Sequence, residues 1–564
     1  MLVTNYSQLI GAKLINDDLL SNCPDYRKWE ARTKYHYNKL HQDYSIEFRP
    51  YQYQYAALYC TRAHNICAGS PGLGKTIITG LAIAAIYAPL NARRPGTVHI
   101  LVPSALSATT RWLQDLEKIT ALQGQVEFIN SEKQLVGSES PVWIYTTDFL
   151  KRKSKLLKQA TRPYISRLIK KRHVVPAFLI VDEVHNARVN SDRSHHLAYV
   201  SSFAKRRLAL SGTLSDGRLD MLHFTCRLIY GHRFPMSQTE FARTFGIKKE
   251  IQTNYIGGSD EEPEVQTRYL QHLSVNRVPQ YYDLATRFIH RVTLNVPEVR
   301  DCIKLPAQTD SVDFVPLCPK QQEIYERLVV NNKQQLHQAL TYSGNAANRA
   351  RAFSLLRPLI MATTCPWTFG LEGRTYKIKR VLERVAQAKA QNKKTAIFTG
   401  IVEAGRYLHE TICLEYGSQS VVRLYARDEN ARAKTMKAEE RADAVTRFLY
   451  DSDVWVGIFS VQLASESIDL TSAGQVIFFD LPWSSLRIAQ ALARAVRPGS
   501  IHSSVSVRYI VSPGSIDEHI WNLLATKLVG AKLLLDFDVS DGIALPASSG
   551  TIAPEDVIAK LLQA

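Results

Sequence analysis

The chain has 564 residues, 45% hydrophobic and 22% charged, with 70 Lys and Arg against 52 Asp and Glu, a formal net charge of +18. This length exceeds what one core fills, so two large domains or more are expected. The positive excess points to a polyanionic partner, nucleic acid being the commonest, although ribosomal or membrane-surface contact would give the same charge. Eight scattered cysteines without Cys-x-x-Cys spacing argue against zinc and against a disulfide framework. No run of about 18 apolar residues occurs and the start is not charged-then-apolar. The expectation is a cytoplasmic or nucleoid protein without a membrane partner, or one of nucleus or virion if its source is eukaryotic or viral.

Residues 1–45 mix charges with Tyr26, Trp29, Tyr35, Tyr37 and Tyr44, and read as an N-terminal helical extension. Phe48-Arg49-Pro50-Tyr51-Gln52 follows, where the Gln52 amide can pair with the donor and acceptor edge of adenine. A half-apolar strand at 65–68 then runs into Gly69-Ser70-Pro71-Gly72-Leu73-Gly74-Lys75-Thr76, and 77–87 is apolar nearly throughout, a buried helix. Strand, glycine turn and helix are the setting of a phosphate-binding loop. Gly69, Gly72 and Gly74 let backbone N–H groups face a triphosphate, Lys75 adds a point charge near the outer phosphates, and Thr76 would hold magnesium.

His99 to Pro103 is a short apolar strand, followed by a predicted helix over 108–119 with Trp112 and Leu116 on one face. Val142 to Thr147 is another strand. Ala177 to Val181 is a third, ending in Asp182-Glu183-Val184-His185. Apolar strands separated by helical stretches predict a parallel sheet with its ligand site at the strands' carboxyl ends. There Asp182 can bind magnesium through water and Glu183 can orient or deprotonate the attacking water. A further strand from Leu208 ends in Ser211-Gly212-Thr213, placed so that Ser211 and Thr213 can link the nucleotide site to a mobile surface. Residues 151–173 carry ten Lys or Arg and no acid, including Lys151, Arg152, Lys153, Lys170, Lys171 and Arg172. Such a run can be a solvated helix face; its length, imbalance and Tyr164 favour contact with a phosphate backbone.

Residues 214–300 read as a less patterned helical insert, with loop composition from Gly257 to Pro263. A strand-like stretch from Leu305 to Val315 and an amphipathic helix over 321–340 fall in a linker or helical insertion assigned to 301–375. Apolar strands return at 395–398, 454–459 and 475–480, a second α/β unit over 376–535 without a phosphate loop of its own. Within it, Gln490-Ala-Leu-Ala-Arg494-Ala-Val-Arg497-Pro-Gly499 puts two arginines at i and i+3 on one helical face. That is how a neighbouring domain can present guanidinium groups to a γ-phosphate, structural salt bridges being the other use of such a pair. A tail with a short helix occupies 536–564.

With these pieces in this order, residues 46–530 resemble superfamily-two helicases, and among them the Swi/Snf-like branch of double-strand DNA translocases. Arg49 to Gln52 resembles the family's adenine-side motif, Gly69 to Thr76 motif I, Leu101 to Pro103 motif Ia, Asp182 to His185 motif II and Ser211 to Thr213 motif III. Thr395 to Gly400 resembles motif IV, Ser460 to Ala473 motif V and Gln490 to Gly499 motif VI. The chain departs from the branch where it has Gly69-Ser70-Pro71 in place of the Asp-Glu that commonly precedes the motif I glycines. It departs again in motif V, with Ala464, Ser465 and Ser467 for glycines and Asp469 for Asn. Arg494 to Ser500 is also similar to viral nucleoside triphosphate phosphohydrolases of the poxvirus type.

The resemblance implies an α/β fold of two RecA-like parallel-sheet motor domains in tandem with helical insertions, the first over 46–300 and the second over 376–535. It implies ATP and magnesium as cofactors and an ATPase stimulated by nucleic acid, most of all double-stranded DNA, with strand separation on RNA or DNA, or a non-catalytic clamp, as alternatives. By resemblance Lys75, Glu183, Gln490, Arg494 and Arg497 are catalytic. Arg49, Gln52 and residues 69–76, Leu73 included, bind the nucleotide. His185, Ser211, Thr213 and Asp469 couple it to nucleic acid, and Ser460 touches the nucleic acid. No targeting module is evident beyond the motor, so a separate targeting protein is a possible partner.

Overall fold

The computed structural model describes residues 25–44, 49–70, 72–88, 96–103, 108–157, 163–187, 191–212, 214, 218–253, 264–274, 277–292, 296–341, 346–424, 436, 438–461, 468–483, 485–522 and 524. Pro71, Thr213, the motif V stretch 462–467 and the tail 536–564 lie outside them. The chain divides at Lys304 and Leu305 into two compact units.

The first unit opens with α1 (Tyr26–Tyr44) and α2 (Tyr51–Thr61), then β1 (His64–Gly69) and α3 (Lys75–Tyr87). Strands β2 (Val98–Val102), β3 (Val126–Phe128), β4 (Val142–Thr146), β5 (Phe178–Val181) and β6 (Arg206–Ser211) follow, with helices α4 (Ile165–Lys171) and α5 (Asp192–Ser201) between the later ones. Helices α6 (Leu219–Tyr230) and α7 (Gln238–Phe245), strands β7 (Gly246–Thr253) and β8 (Glu264–Leu273), α8 (Val278–Phe288) and β9 (Ile289–Val292) complete it.

Seven of these strands form one sheet, in the order β3-β4-β2-β5-β6-β1-β9, every pair parallel. Strands β2 and β5 are buried along their whole length, because helices cover both faces of a parallel sheet and leave no solvated side. Helix α3 is equally apolar. Its Gly80 lies so close to Ile119 and Leu116 that an added Cβ would fall 2.4 Å and 2.7 Å from their methyls.

The stretch 214–300 is not only helical. Strands β7 and β8 pair as an antiparallel two-stranded ribbon, and β9 joins the main sheet beside β1. Neither ribbon strand carries an apolar run, since a backbone ladder needs none, and β9 is four residues with His and Arg at its centre. The predicted helix over 108–119 is a π-helical turn, Ala108–Leu113, followed by the short helix Gln114–Glu117. Trp112 and Leu116 are nevertheless both buried.

The second unit begins with β10 (Ala307–Phe314), α9 (Pro319–Thr341) and α10 (Ala346–Thr364). It continues through α11 (Tyr376–Ala390), β11 (Lys394–Thr399), α12 (Val402–Tyr416), β12 (Val421–Leu424), α13 (Ala438–Tyr450), β13 (Val456–Ser460), β14 (Ala473–Phe478), α14 (Ser485–Ala495) and β15 (Ser504–Val511). Its six strands run β10-β15-β14-β11-β13-β12, again all parallel. The stretch set apart as a linker, 301–375, therefore supplies this sheet's edge strand. Eight residues of β10 pair with β15, and Leu317, Tyr325, Leu356 and Leu359 pack in the same core as Phe398, Phe459 and Phe478. On the sheet's other face Ile397, Ile458, Ile477 and Ile510 pack against Ile378, Val381, Leu408 and Ile412 of α11 and α12.

Candidate nucleotide site

Strands β5, β6 and β1 are neighbours in register, so Asp182, Ser211 and the phosphate loop leave the same edge of the sheet side by side. At the carboxyl edge of a parallel sheet the N-termini of the following helices present free N–H groups, which is where anionic ligands are held.

The loop is shaped by its glycines. Gly72 and Gly74 have φ of 83° and 77°, left-handed values that a side chain would strain. A Cβ on Gly74 would also stand 2.2 Å from Nε2 of Gln52. The predicted adenine-side glutamine thus lies, buried, directly against the phosphate loop. Tyr51 beside it donates its hydroxyl to the carbonyl of Leu73 at 3.0 Å, and Ser70 N–H donates to the carbonyl of Val292 at 2.9 Å, so α2 and β9 pin the loop from two sides. Arg49 is half-buried and its N–H donates to the Tyr37 hydroxyl.

Lys75 opens α3 and is only 8% exposed. Its Nζ donates to the carbonyl of Gly69 at 2.8 Å and reaches that of Ser70 at 3.4 Å, curled within the loop. Burial pulls the ammonium pKa down, the carboxylates of Glu183 and Asp182 hold it up, and the charge of Arg111 adds to the lowering. Thr76 is buried in the first turn of α3.

Asp182 is held at three points: its N–H donates to the carbonyl of Leu101 at 2.8 Å, Oδ2 accepts the indole N–H of Trp112 at 2.8 Å, and Oδ1 accepts the N–H of Glu183 at 3.0 Å. Desolvation, and then the charge of Glu183, push its carboxyl pKa up, against the Trp112 hydrogen bond and the positive charges of Lys75 and Arg111. Glu183 has φ of 47°, an uncommon conformation for a residue with a side chain and one found where geometry is over-determined by its surroundings. Its Oε2 lies 3.4 Å from Ser211 Oγ, which donates to it, and 3.3 Å from His185 Nδ1. His185 Nδ1 and Ser211 Oγ are themselves 2.8 Å apart. The acid, the buried histidine and the serine from the next strand form one cluster.

The residues fit a magnesium nucleotide. The loop offers a cradle that a side chain on Gly74 would fill, a buried ammonium, and a hydroxyl and carboxylate of the hard-oxygen kind that magnesium takes.

The basic run is divided in use. Lys151 pairs with Asp148 at 3.0 Å, Arg152 donates to the carbonyl of Asn130, and Lys170 rests over the Phe203 ring at 4.5 Å. Lys153, Lys171 and Arg172 are exposed.

In the second unit Gln490 and Arg494 lie on α14 and Arg497 just past its end. Arg494 is buried, and its carbonyl accepts the N–H of Leu470 at 3.1 Å. Arg497 Nη1 is 4.0 Å from Oδ1 of Asp469, which also accepts the N–H of Thr471 at 3.0 Å. Ser460 is buried at the end of β13.

Sequence reasoning missed three features. Trp112 looked like an ordinary helix-face aromatic. Tyr51 gave no signal beyond its place before Gln52. The third is a buried polar group in the second unit, where Lys377 pairs with Asp517, Thr363 donates to Asp517 at 2.9 Å, and Asp480 accepts the N–H of Gly400 through both oxygens at 3.0 and 2.9 Å.

Two parallel sheets follow one another along the chain, the first with a glycine loop beside an Asp-Glu pair at its carboxyl edge. A family model for the SNF2-related domain matches residues 51–364, and one for the helicase conserved C-terminal domain matches 376–499. The first alone covers more than half the chain, which belongs to the SNF2-related family of helicase-type ATPases. The chain is 25% identical over 470 residues, 82% of its length, to the DNA annealing helicase and endonuclease ZRANB3 of Mus musculus, and 26% identical over 258 residues, 44% of its length, to the putative ATP-dependent helicase/translocase YwqA of Bacillus subtilis. It covers 38% and 26% of those two proteins. The Sulfolobus solfataricus SWI2/SNF2 ATPase core in complex with dsDNA aligns over 88% of this chain and 94% of that one, at 21% identity and a TM-score of 0.35. Among the described residues no helix is long and apolar enough to cross a membrane.

Proposed function

We propose that this chain is an ATP-driven motor that couples hydrolysis to movement along nucleic acid, double-stranded DNA foremost. The observation that carries the reading is the meeting of Lys75 and Thr76 with Asp182 and Glu183 at one sheet edge, with Ser211 and His185 joined to Glu183. In this reading Gly69 to Thr76 bind the phosphates of ATP, Arg49 and Gln52 face the base, and Thr76 and Asp182 hold magnesium. When bound, that ion neutralises charge on the phosphate oxygens. Glu183 orients and deprotonates the attacking water. Gln490, Arg494 and Arg497 act on the transferring phosphate in the transition state.

The net charge of +18 and the exposed Lys153, Lys171 and Arg172 support a polyanionic track. His185, Ser211, Thr213 and Asp469 would relay nucleotide state to it, with Ser460 beside it. The DNA-acting name of the relative ZRANB3 makes DNA the first track to test. Residues 1–45, the 214–300 insert and a separate targeting protein are the first places to look for what selects the biological site, in cytoplasm or nucleoid.

The test is ATP turnover with duplex DNA, single-stranded DNA and RNA, in wild type and Glu183→Gln. Duplex DNA should stimulate most, and Glu183→Gln should bind ATP yet hydrolyse it at least about a hundredfold more slowly. Stimulation led by RNA would defeat the choice of track, and unchanged turnover in Glu183→Gln would defeat the site.

A further inference from the structure

The indole N–H of Trp112 reaches across seventy residues of chain to Oδ2 of Asp182 at 2.8 Å. A buried indole needs some acceptor, and a backbone carbonyl would serve. Trp112, 1% exposed, takes the carboxylate that the nucleotide site depends on. The other oxygen of that carboxylate is held by the N–H of Glu183 at 3.0 Å. The last torsion of an aspartate is broad and roughly two-fold, so one donor leaves it free to rock, whereas a donor on each oxygen fixes its plane. Each oxygen keeps a second lone pair for a metal-bound water.

The element that delivers the indole is unusual as well. Trp112 sits in the π-helical turn Ala108–Leu113, and such widened turns recur at functional sites. Arg111, its neighbour, brings a positive charge close enough to act on both Asp182 and Lys75. Packing alone accounts for the burial of the ring but not for the choice of acceptor.

We propose that Trp112 is a positioning residue for magnesium: its N–H holds the Asp182 carboxylate in the one orientation that receives the ion, while the phosphate loop binds the nucleotide independently of it. This rests on the reading of Asp182 as the magnesium-binding acid given above. Partners that orient a metal ligand typically contribute 10- to 100-fold in metal affinity. Removing the donor should therefore show in the magnesium requirement and leave nucleotide binding without metal unchanged.

The experiment uses the full chain with Trp112→Phe, which keeps a ring and loses the donor, and Trp112→His, which restores an N–H. The first readout needs no turnover: the magnesium concentration that gives half of the ADP-dependent rise in melting temperature. We expect it to increase about 10-fold in Trp112→Phe and to return most of the way in Trp112→His, with the metal-free ADP shift equal in all three. The magnesium dependence of ATP hydrolysis should move in parallel, with kcat at saturating magnesium within about threefold of wild type. Equal magnesium requirements in wild type and Trp112→Phe, or a Trp112→His as impaired as Trp112→Phe, would overturn the proposal.

If Trp112→Phe does not fold, the indole N–H resonances of ¹⁵N-labelled protein decide. Of the seven tryptophans, one should shift strongly in Asp182→Asn, and no shift overturns the assignment. Failure of the site reading itself looks different: wild-type ADP binding would then be indifferent to magnesium.

Discussion

Asp480 lies two residues past the end of β14 and is 7% exposed, and burial is the largest influence on its carboxyl, raising its pKa to about 6 against the hydrogen bonds from Thr399 and Gly400 and the charge of Lys377. An aspartate raised from 3.8 to about 6 on folding makes a contribution that is complete below pH 3.8 and is lost as pH rises through 6. At about 1.4 kcal/mol per unit the whole effect is about 3 kcal/mol, of which about 2 kcal/mol falls between pH 4.5 and 7.5. Asp480→Asn cannot ionise but keeps an acceptor for the Gly400 N–H. We expect the variant to gain about 2 kcal/mol on wild type between pH 4.5 and pH 7.5, whatever constant cost the substitution carries. Urea unfolding of both proteins at the two pH values measures this double difference. Parallel pH dependences would refute the claim that the folded second unit holds a costly charge at this strand end.

Gly74→Ala combines a left-handed φ with a Cβ 2.2 Å from the Gln52 amide. It should weaken ATP binding at least tenfold, and adding Gln52→Ala should not restore it, since the backbone strain remains; equilibrium titration with a fluorescent ATP analogue checks both. Lys377→Met leaves Asp517 charged and buried, so it should destabilise the second unit by about 3–5 kcal/mol. Lys377→Met with Asp517→Leu should recover part of that loss in the same urea assay. Lys171→Ala with Arg172→Ala should weaken DNA binding and lower the slope of log affinity against log salt by about 1 for each phosphate no longer neutralised. Lys151→Ala, its charge already shared with Asp148, should change that slope less.

What could be read from one chain depended on how far each signal reaches along it. The phosphate loop is legible because all its requirements lie within eight consecutive residues: glycines where φ turns positive, then Lys75 and Thr76 on the helix that follows. Asp182-Glu183 is legible because a buried parallel strand is an uninterrupted apolar run, and its end marks the ligand edge. Strand β9 and the ribbon of β7 and β8 were not, because backbone pairing carries them without an apolar pattern. Strand β10 was visible as a strand but not as part of the second sheet, since its partner β15 lies almost 200 residues away.

The amino-acid order alone determined the local geometry of the proposed site, as the cradle, the ammonium, the hydroxyl and the two acids each sit in a local pattern that dictates their conformation. Only the tertiary structure decided what holds those groups. Tyr51 on Leu73, Gln52 against Gly74, Val292 on Ser70, Ser211 with His185 and Glu183, and Trp112 on Asp182 are contacts between residues 22 to 222 positions apart. Such contacts arise from sheet order and from the packing of helices on its faces, and no local periodicity encodes which strand will become a neighbour.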